Sequence, residues 1–405
     1  VVYEEINLFD SLFMPVMSGN ILINDSIGLS TSLLFDGSES ILIDITKDQN
    51  SDIASFKKAF RIYKQTDRKA DGLNNEKYIL HFCSDELMYS DQQKVFQSYD
   101  DTYGKIISKI LTDYLKVPED EAGGYFEDTD GIRNITIPNL RPIDALQWIA
   151  KRAMDEKQAP NYMFFQNLVG FNFAPLSKLL TREEVLDIKF EPKNQSGGSA
   201  LAEISSARAF EVVKQNDSIT KQRSGVNAGQ FIGFDPMTRV TAKKDIGYGD
   251  VFATMDHAND NPNASVVQSR GGENNTNAFD SKKMMSMFNT AQQFSKYIKE
   301  KAPEVLSKLE NQESWLFQRK SIIGNLMGKR LKVVMPGNFQ LTSGFNVNVV
   351  APTLGKKFKG DDNEDKSLSG KYIIVASRQI IGYDKDRKST RLNSSHTDIS
   401  RMPSS

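Results

Sequence analysis

The sequence predicts an α+β chain dominated by β-structure, with antiparallel, barrel-like sheets and a helix-containing segment inserted between their strands. Three observations carry this. In residues 329–383 apolar side chains recur at every second position: Leu331, Val333 and Met335; Phe345, Val347 and Val349; Tyr372, Ile374 and Ala376. That period puts each set on one face of a half-buried strand. Residues 1–94 break into short runs rich in Ile, Leu, Phe and Tyr, separated by Gly, Asn, Asp or Ser, as in an antiparallel sheet or barrel. Between these ends, two runs change to helical spacing.

From the N-terminus, VVYEEINLFD, PVMSGNILINDSIGL, ILIDI, FKKAFRIYKQTDR and KYILHFCSDELMYS read as strands, with Gly19-Asn20 and Asp36-Gly37 as turns. In FKKAFRIYK, Phe60 and Ile62 share one face, while Ala59, Arg61 and Tyr63 form a more polar, wet one. Beyond Ser98, Tyr103, Ile106, Ile107, Ile110, Leu111 and Tyr114 predict a helix, with Asp100 or Asp101 as its cap and Pro118 as its stop. Ile135 and Ile137 mark a short strand ending at Pro138. A second helix is expected over 142–154, with Ile143, Leu146, Ile149, Ala150 and Ala153 on one side and proline in its first turn.

YMFFQ-NLVG-FNF reads as a hairpin, residues 176–180 and 185–190 close the segment, and KNQSGGS is an exit. Strand-like pieces return in FEVVK, GQFIGFD, MTRVTAKK and VFATM. Residues 256–282 read as a polar, structureless loop. Met284, Met287, Phe288, Ala291, Phe294 and Ile298 predict a helix, and ESWLFQRKSIIGNLMG another. Pro336-Gly337-Asn338 and Thr342-Ser343-Gly344 supply turns between the terminal strands.

A chain of 405 residues has length for two or three domains. Its mean hydropathy of −0.45 and the lack of a long apolar run predict no membrane-spanning segment. A net charge of −1 argues against a dedicated nucleic-acid binder. The single cysteine, Cys83, excludes an internal disulfide framework. No charged stretch precedes an apolar one at Val1, so no signal peptide is expected. Residues 386–405, DRKSTRLNSSHTDISRMPSS, resemble a translated sequencing adapter and are expected to be non-native. Setting them aside leaves 47 basic against 50 acidic residues, a net charge of −3.

Candidate chemistry is sparse. His81 and Cys83 share one strand face, but a tetrahedral metal site wants about four ligands and no second His/Cys pair exists. His257 stands beside Asp256, Asn259 and Asp260; the twelfth position from Asp256 is Val267, so no EF-hand loop forms. No G-x-S-x-G is present. Glu119, Asp120, Glu121, Glu127, Asp128 and Asp130 read as a solvated charge run rather than a carboxylate pair for glycoside hydrolysis. Gly247-Tyr248-Gly249-Asp250 and Gly271-Gly272 read as turns. Met284 and Met287 read as core filler. Phe9, Phe13, Phe35, Phe56 and Phe60 read as core or oligomer contact. No catalytic, cofactor-binding or metal-binding residue is assigned, and no cofactor is expected.

PVMSGNILINDSIGL with FDGSESILIDI, FKKAFRIYKQTDR with YILHFCSDELM, SYDDTYGKIISKIL with ITIPNLRPIDALQWIAKRA and YMFFQNLVGFNF, and WLFQRK with the closing strands stand in a distinctive order. In that order the chain resembles the baseplate central hub protein of contractile-tailed, T-even-like bacteriophages, in a marine-phage type of variant. The resemblance implies tube-like antiparallel β-barrel modules with an inserted helix-containing domain. It also implies a non-enzymatic virion protein of the tail baseplate, assembled in the host cytoplasm. Such a hub is a homotrimer whose ring joins a sixfold tail tube to a threefold spike, contacts baseplate wedge proteins, and lines a lumen that DNA transits without specific binding. The division it suggests is 1–94, first part of a tube-like module; 95–196, inserted domain; 197–255, returning β segment; 256–312, polar loop and helix; 313–383, closing helix and strands; and 384–405, non-native tail. A spike-base protein of a related injection or secretion system, and an envelope-degrading tail hydrolase, are the alternatives.

Overall fold

The computed structural model describes residues 2–32, 36–45, 56–72, 74–117, 124–190, 206–215, 217–235, 240–252, 266–268, 275–277, 283–288, 312–351, 364–365, 367–384 and 389–401. Strand β1 (Val2–Ser11) pairs antiparallel with β2 (Ser18–Asp25). The sheet continues through β5 (Glu76–Ser84) and β4 (Phe56–Ala70) to β3 (Ser40–Ile45), all antiparallel. The other edge of β1 lies along β20 (Gly370–Asp384). Period two governs these strands: Gly19, Ile21, Ile23 and Asp25 of β2 are buried and the residues between them half-buried. Phe60 and Ile62 face the core, with Ala59 and Tyr63 exposed, as the sequence predicts.

A second set of pairings runs back on itself. Strand β10 (Glu184–Phe190) pairs with β19 (Asn346–Val350) and with β11 (Ser206–Ala207). One residue beyond β11, β12 (Ala209–Lys214) pairs with β18 (Lys329–Met335). Strand β21 (Ser389–Arg401) joins β18 to β20, and β20 pairs with β19. The circuit encloses Ile188, Leu331, Val333, Met335, Val347, Val349, Tyr372 and Ile374. Both pairings of β10 are parallel, so the all-antiparallel expectation fails there. Residues 184–190 arrive through α5 (Leu176–Thr181) from the inserted segment rather than through a hairpin, and only hairpins enforce antiparallel neighbours. Strand β21 lies in the stretch read as non-native. Backbone pairing is indifferent to side chains, and β18 and β20 both present it a hydrogen-bonding edge.

Two short helices, α1 (Leu29–Ser32) and α2 (Asp85–Asp91), flank the first sheet. In the inserted segment, helices α3 (Tyr103–Asp113) and α4 (Pro142–Arg152) pack with the ribbons β6 (Ser98–Asp101)–β7 (Arg133–Thr136) and β8 (Tyr162–Gln166)–β9 (Phe171–Pro175). The predicted stripes Ile106, Ile107, Ile110 and Leu111, and Ile143, Leu146, Ile149 and Ala150, form its core. Both strands of the β8–β9 hairpin are buried along their whole length. Tyr162, Phe164, Phe171 and Phe173 point into that core. Met163, Phe165 and Ala174 point the other way, onto Ile373 and Val375 of β20 and the helix α8 (Gln312–Leu326). Strand β20 is therefore covered on both faces, which corrects the half-buried reading of YIIVAS; a continuous apolar run such as Ile373–Val375 is the usual mark of such a strand.

The remaining elements are α6 (Ser218–Ser224), a sheet of β14 (Val240–Gly247), β13 (Ala228–Asp235) and β17 (Lys283–Phe288), α7 (Tyr248–Phe252), and a ribbon of β15 (Val266–Gln268) and β16 (Asn275–Asn277). Several expectations are corrected here. Lys283–Phe288 is a strand parallel to β13, not a helix; a short stretch with Met284, Met285, Met287 and Phe288 fits either period, and the open edge of β13 decides it. Ala291, Phe294 and Ile298 lie outside the described residues. Residues 256–282 are not wholly structureless, since β15 and β16 pair. Part of VFATM is helical: Val251 and Phe252 close α7.

Gly19-Asn20 is not a turn. Gly19 lies within β2 opposite Leu8, where a Cβ would stand 2.4 Å from both the Asn7 carbonyl and the Phe82 ring. The cap of α3 is Thr102, not Asp100 or Asp101, which are held in β6. Asp128 instead accepts hydrogen bonds from the Gly104 N–H (3.1 Å) and Thr102 Oγ1 (2.8 Å). Helix α3 ends at Asp113, and Lys116 then takes a φ of 58°, so the stop precedes Pro118.

Candidate assembly interface

Among the described residues, those weighed for chemistry do not converge. His81 Nε2 lies 2.9 Å from Thr66 Oγ1, and its ring is 6.2 Å from Tyr63. Cys83 is buried as a free thiol; desolvation, with Asp85 and Glu86 nearby, pushes it up to about 11. Tyr125 donates to Glu127, while Asp128 is occupied at the start of α3. Glu119, Asp120, Glu121, Asp256, His257, Asn259, Asp260, Phe35 and Gly271-Gly272 lie outside the described residues. Gly247 ends β14 and Tyr248-Gly249-Asp250 opens α7, not a plain turn. Among the described residues no group of three or more His, Cys, Asp or Glu could hold a metal ion. Phe56 and Phe60 are core, Phe9 is half-buried and Phe13 is 36% exposed.

Two buried polar clusters lock the large elements together. Asp10 shares the inward face of β1 with Ile6 and Leu8. Its carboxylate accepts from Thr342 Oγ1, from the Ser343 N–H (3.3 Å), and from Ser377 N–H (3.2 Å) and Oγ (2.8 Å). Burial outweighs these donors and raises its pKa to about 6. The same turn is tied to the hairpin: Asn167 Nδ2 donates to the Ser343 carbonyl (2.9 Å) and the Leu168 N–H to Thr342 Oγ1 (3.1 Å). Gly344, at φ +86°, lets that turn pass the Phe165 ring, which a Cβ would approach to 2.7 Å.

The second cluster centres on Arg319 of α8. Its guanidinium donates to the carbonyls of Ala150 (3.3 Å), Pro160 (3.2 Å) and Tyr162 (2.7 Å). Desolvation lowers its pKa to about 10. Nearby, the Arg152 guanidinium lies 3.8 Å from the Trp148 ring centroid and 5.1 Å from that of Trp315. Sequence reasoning missed both clusters. Asp10 was detectable, because alternation puts it on the apolar face of β1; Arg319 carries no local signal.

What remains for contact with other molecules is surface. Among the described residues β3 has one strand neighbour, β4, so its outer edge of backbone groups is open. Leu42 of β3 is 58% exposed and stands opposite Ala59; Tyr63, 50% exposed, continues that outer face. Strand β4 carries six basic residues, Lys57, Lys58, Arg61, Lys64, Arg68 and Lys69. Four are paired: Lys57 with Asp44 (3.1 Å), Lys58 with Glu86 (3.7 Å), Arg61 with Asp85 (3.0 Å) and Arg68 with Glu76 (2.9 Å).

No protein-family model matches the chain. No curated protein matches it either. Solved structures do. A tail protein from Neisseria meningitidis superposes with a TM-score of 0.51 at 11% identity, over 98% of this chain and 92% of that one. The 43 kDa tail protein of prophage MuSo2 from Shewanella oneidensis gives 0.49 at 9%, over 99% and 94%. A type VI secretion component of Escherichia coli, described as similar to T4 tail proteins, gives 0.42 at 8%, over 100% and 74%. The first of these establishes a shared fold: the chain has the β-rich architecture of that tail protein.

Proposed function

We propose that the chain is a structural baseplate component of a contractile tail, a central hub whose copies form a trimeric ring. The ring joins the tail tube to the spike, meets wedge proteins at its rim and surrounds the path of DNA ejection. The observation that carries this reading is the continuous sheet that runs from β10 and β19 through β20, β1, β2, β5 and β4 and ends on the open, apolar-bearing edge strand β3. Two tube-like modules in each of three copies supply six, which reconciles a sixfold tube with a threefold spike. A head-to-tail contact that closes is the interface type such a ring requires. In this reading residues 1–94 and 313–383 build modules, 95–196 is the inserted domain, 197–255 is a returning β segment and 384–405 is a non-native tail. The fold shared with the Neisseria tail protein supports the assignment. Pairing of four of the six basic residues on β4 leaves little free positive charge there, in keeping with DNA that passes without being held. No enzymatic role is assigned.

Size-exclusion chromatography with light scattering tests the proposal. Trimers are expected for the parent chain, and monomers of unchanged melting temperature for Leu42→Lys. A parent chain that stays monomeric at high concentration overturns it.

A further inference from the structure

The turn of residues 342–344 is held in a knot of buried side chains around Asp10. Asp10, Thr342, Ser343, Ser377 and Asn167 are each at most 4% exposed. Oδ1 of Asp10 accepts three hydrogen bonds, from the Ser343 N–H, the Ser377 N–H and Ser377 Oγ, and Oδ2 accepts one, from Thr342 Oγ1. Thr342 Oγ1 in turn accepts from the Leu168 N–H, and the Ser343 carbonyl from Asn167 Nδ2. Asn167 Oδ1 takes the Val169 and Gly170 N–H groups (3.0 and 3.2 Å), which shapes the hairpin loop. Asp10 therefore ties β1 and β20 to the turn directly, and to the β8–β9 loop through it. No cation enters the knot among the described residues. Residues 336–345 and 166–171 contain no titratable side chain. On the other face of β1 and β20, Glu5 pairs with Arg378 (3.6 Å), which also donates to Asn7 (2.9 Å). Tyr3 and Glu4 stand at the far end of β1 and Asp25 at the far end of β2. Lys371 of β20 pairs with Glu184 (3.1 Å), Tyr372 donates to the Leu368 carbonyl (2.6 Å), and Tyr162 of β8 donates to the Asp128 carbonyl (2.8 Å).

A buried carboxylate with no counter-ion is costly to keep charged, and here desolvation outweighs the four donors, giving a pKa of about 6 against the ordinary 3.8. The proton has one seat. Oδ1 is filled by three donors, so it goes to Oδ2, whose O–H then donates to the second lone pair of Thr342 Oγ1. The protonated form thus keeps the knot, and the ionised form is relieved when water reaches it. Strands β1 and β20 are fixed in one continuous ladder from Glu5 to Ser11, so the turn is the member that can yield. We propose that this knot is a pH-sensitive latch. With the Asp10 carboxyl protonated, the 342–344 turn stays shut between β1, β20 and the β8–β9 loop; with the carboxylate ionised, the turn opens locally to admit water and lets go of Asn167 and Leu168. The latch is independent of ring formation and involves the turn alone, not unfolding of the insert.

Hydrogen exchange on the full chain tests this, with the Ser343 and Leu168 amides as reporters. After correction for the intrinsic rate, protection of both should fall on the order of fifty-fold between about pH 4 and about pH 7. At the higher pH both should exchange well ahead of the amides of β2 and β5, as a local opening requires. In Asp10→Asn, which cannot ionise, the fall should vanish. Should that variant not fold, Thr342→Val keeps the carboxyl but cuts the link to the hairpin: Ser343 should keep its fall and Leu168 should be unprotected at both pH values. Protection that does not change with pH, reporters that exchange only together with β2 and β5, a fall that persists in Asp10→Asn, or a Leu168 amide still protected in Thr342→Val overturns the proposal.

Discussion

Helices α3 and α4 and the β6–β7 and β8–β9 ribbons share one apolar core, whereas among the described residues the β13–β14–β17 sheet is backed chiefly by α8. The contrast is clearest in the two glycines that meet aromatic rings. Gly344 lets a turn close over Phe165, whose hairpin is packed on both faces. Gly229 of β13 receives Phe317 of α8, where a Cβ would stand 2.3 Å from the ring, in a sheet whose outer strands β14 and β17 each have one strand neighbour among the described residues. A wall packed from both sides couples its neighbours; a sheet backed from one side can open alone. The inserted segment should therefore unfold only with the whole chain, and the small sheet before it.

The largest expected effect is at that wall. Phe165→Ala should cost about 4 kcal/mol in urea unfolding, because it empties space that three elements share; a cost near 1 kcal/mol would mean that the wall is not shared. Arg319→Ala should cost about 3 kcal/mol, since it strips a charged donor from three buried carbonyls. It should also decouple the transition of α8 from that of the insert, seen as two steps by tryptophan fluorescence.

Asp10 gives a pH dependence of defined sign. Its folded-state pKa of about 6 lies above the ordinary value of 3.8. The folded chain therefore holds the proton more tightly. This contribution is complete below pH 3.8, is lost as pH rises through about 6, and is flat beyond. Stability should be about 3 kcal/mol greater at the acid end of that window, and Asp10→Asn should remove the difference between the two pH values. The gentlest measurement sharpens the comparison directly. Backbone amides of β13 and β14 should exchange with deuterium before those of β1, β2 and β5, and Phe317→Ala should widen that gap more than it lowers the global transition.

Much of this was legible in the chain. The stripes of α3 and α4, the apolar hairpin, the faces of β4 and the alternation of β18 follow from periods of 3.6 and 2, and the structure keeps them. What failed did so where a local pattern admits two answers. KMMSMF suits a helix or a strand until β13 offers its edge. Gly19-Asn20 suits a turn until Phe82 and the Asn7 carbonyl claim the space a side chain would need. Asp100 and Asp101 suit a cap until β7 claims their backbone.

The sequence by itself determined which residues face inward, because hydrophobic periodicity is a local property that burial rewards directly. Only the tertiary structure decided that β10 joins its sheet in parallel, that β20 serves two cores, that Asp10 and Gln166 sit buried between elements, and that half-buried Arg319 reaches the carbonyls of the insert. Those outcomes depend on pairings between residues far apart in the chain, and no period within a single stretch encodes which edge or cleft it will meet.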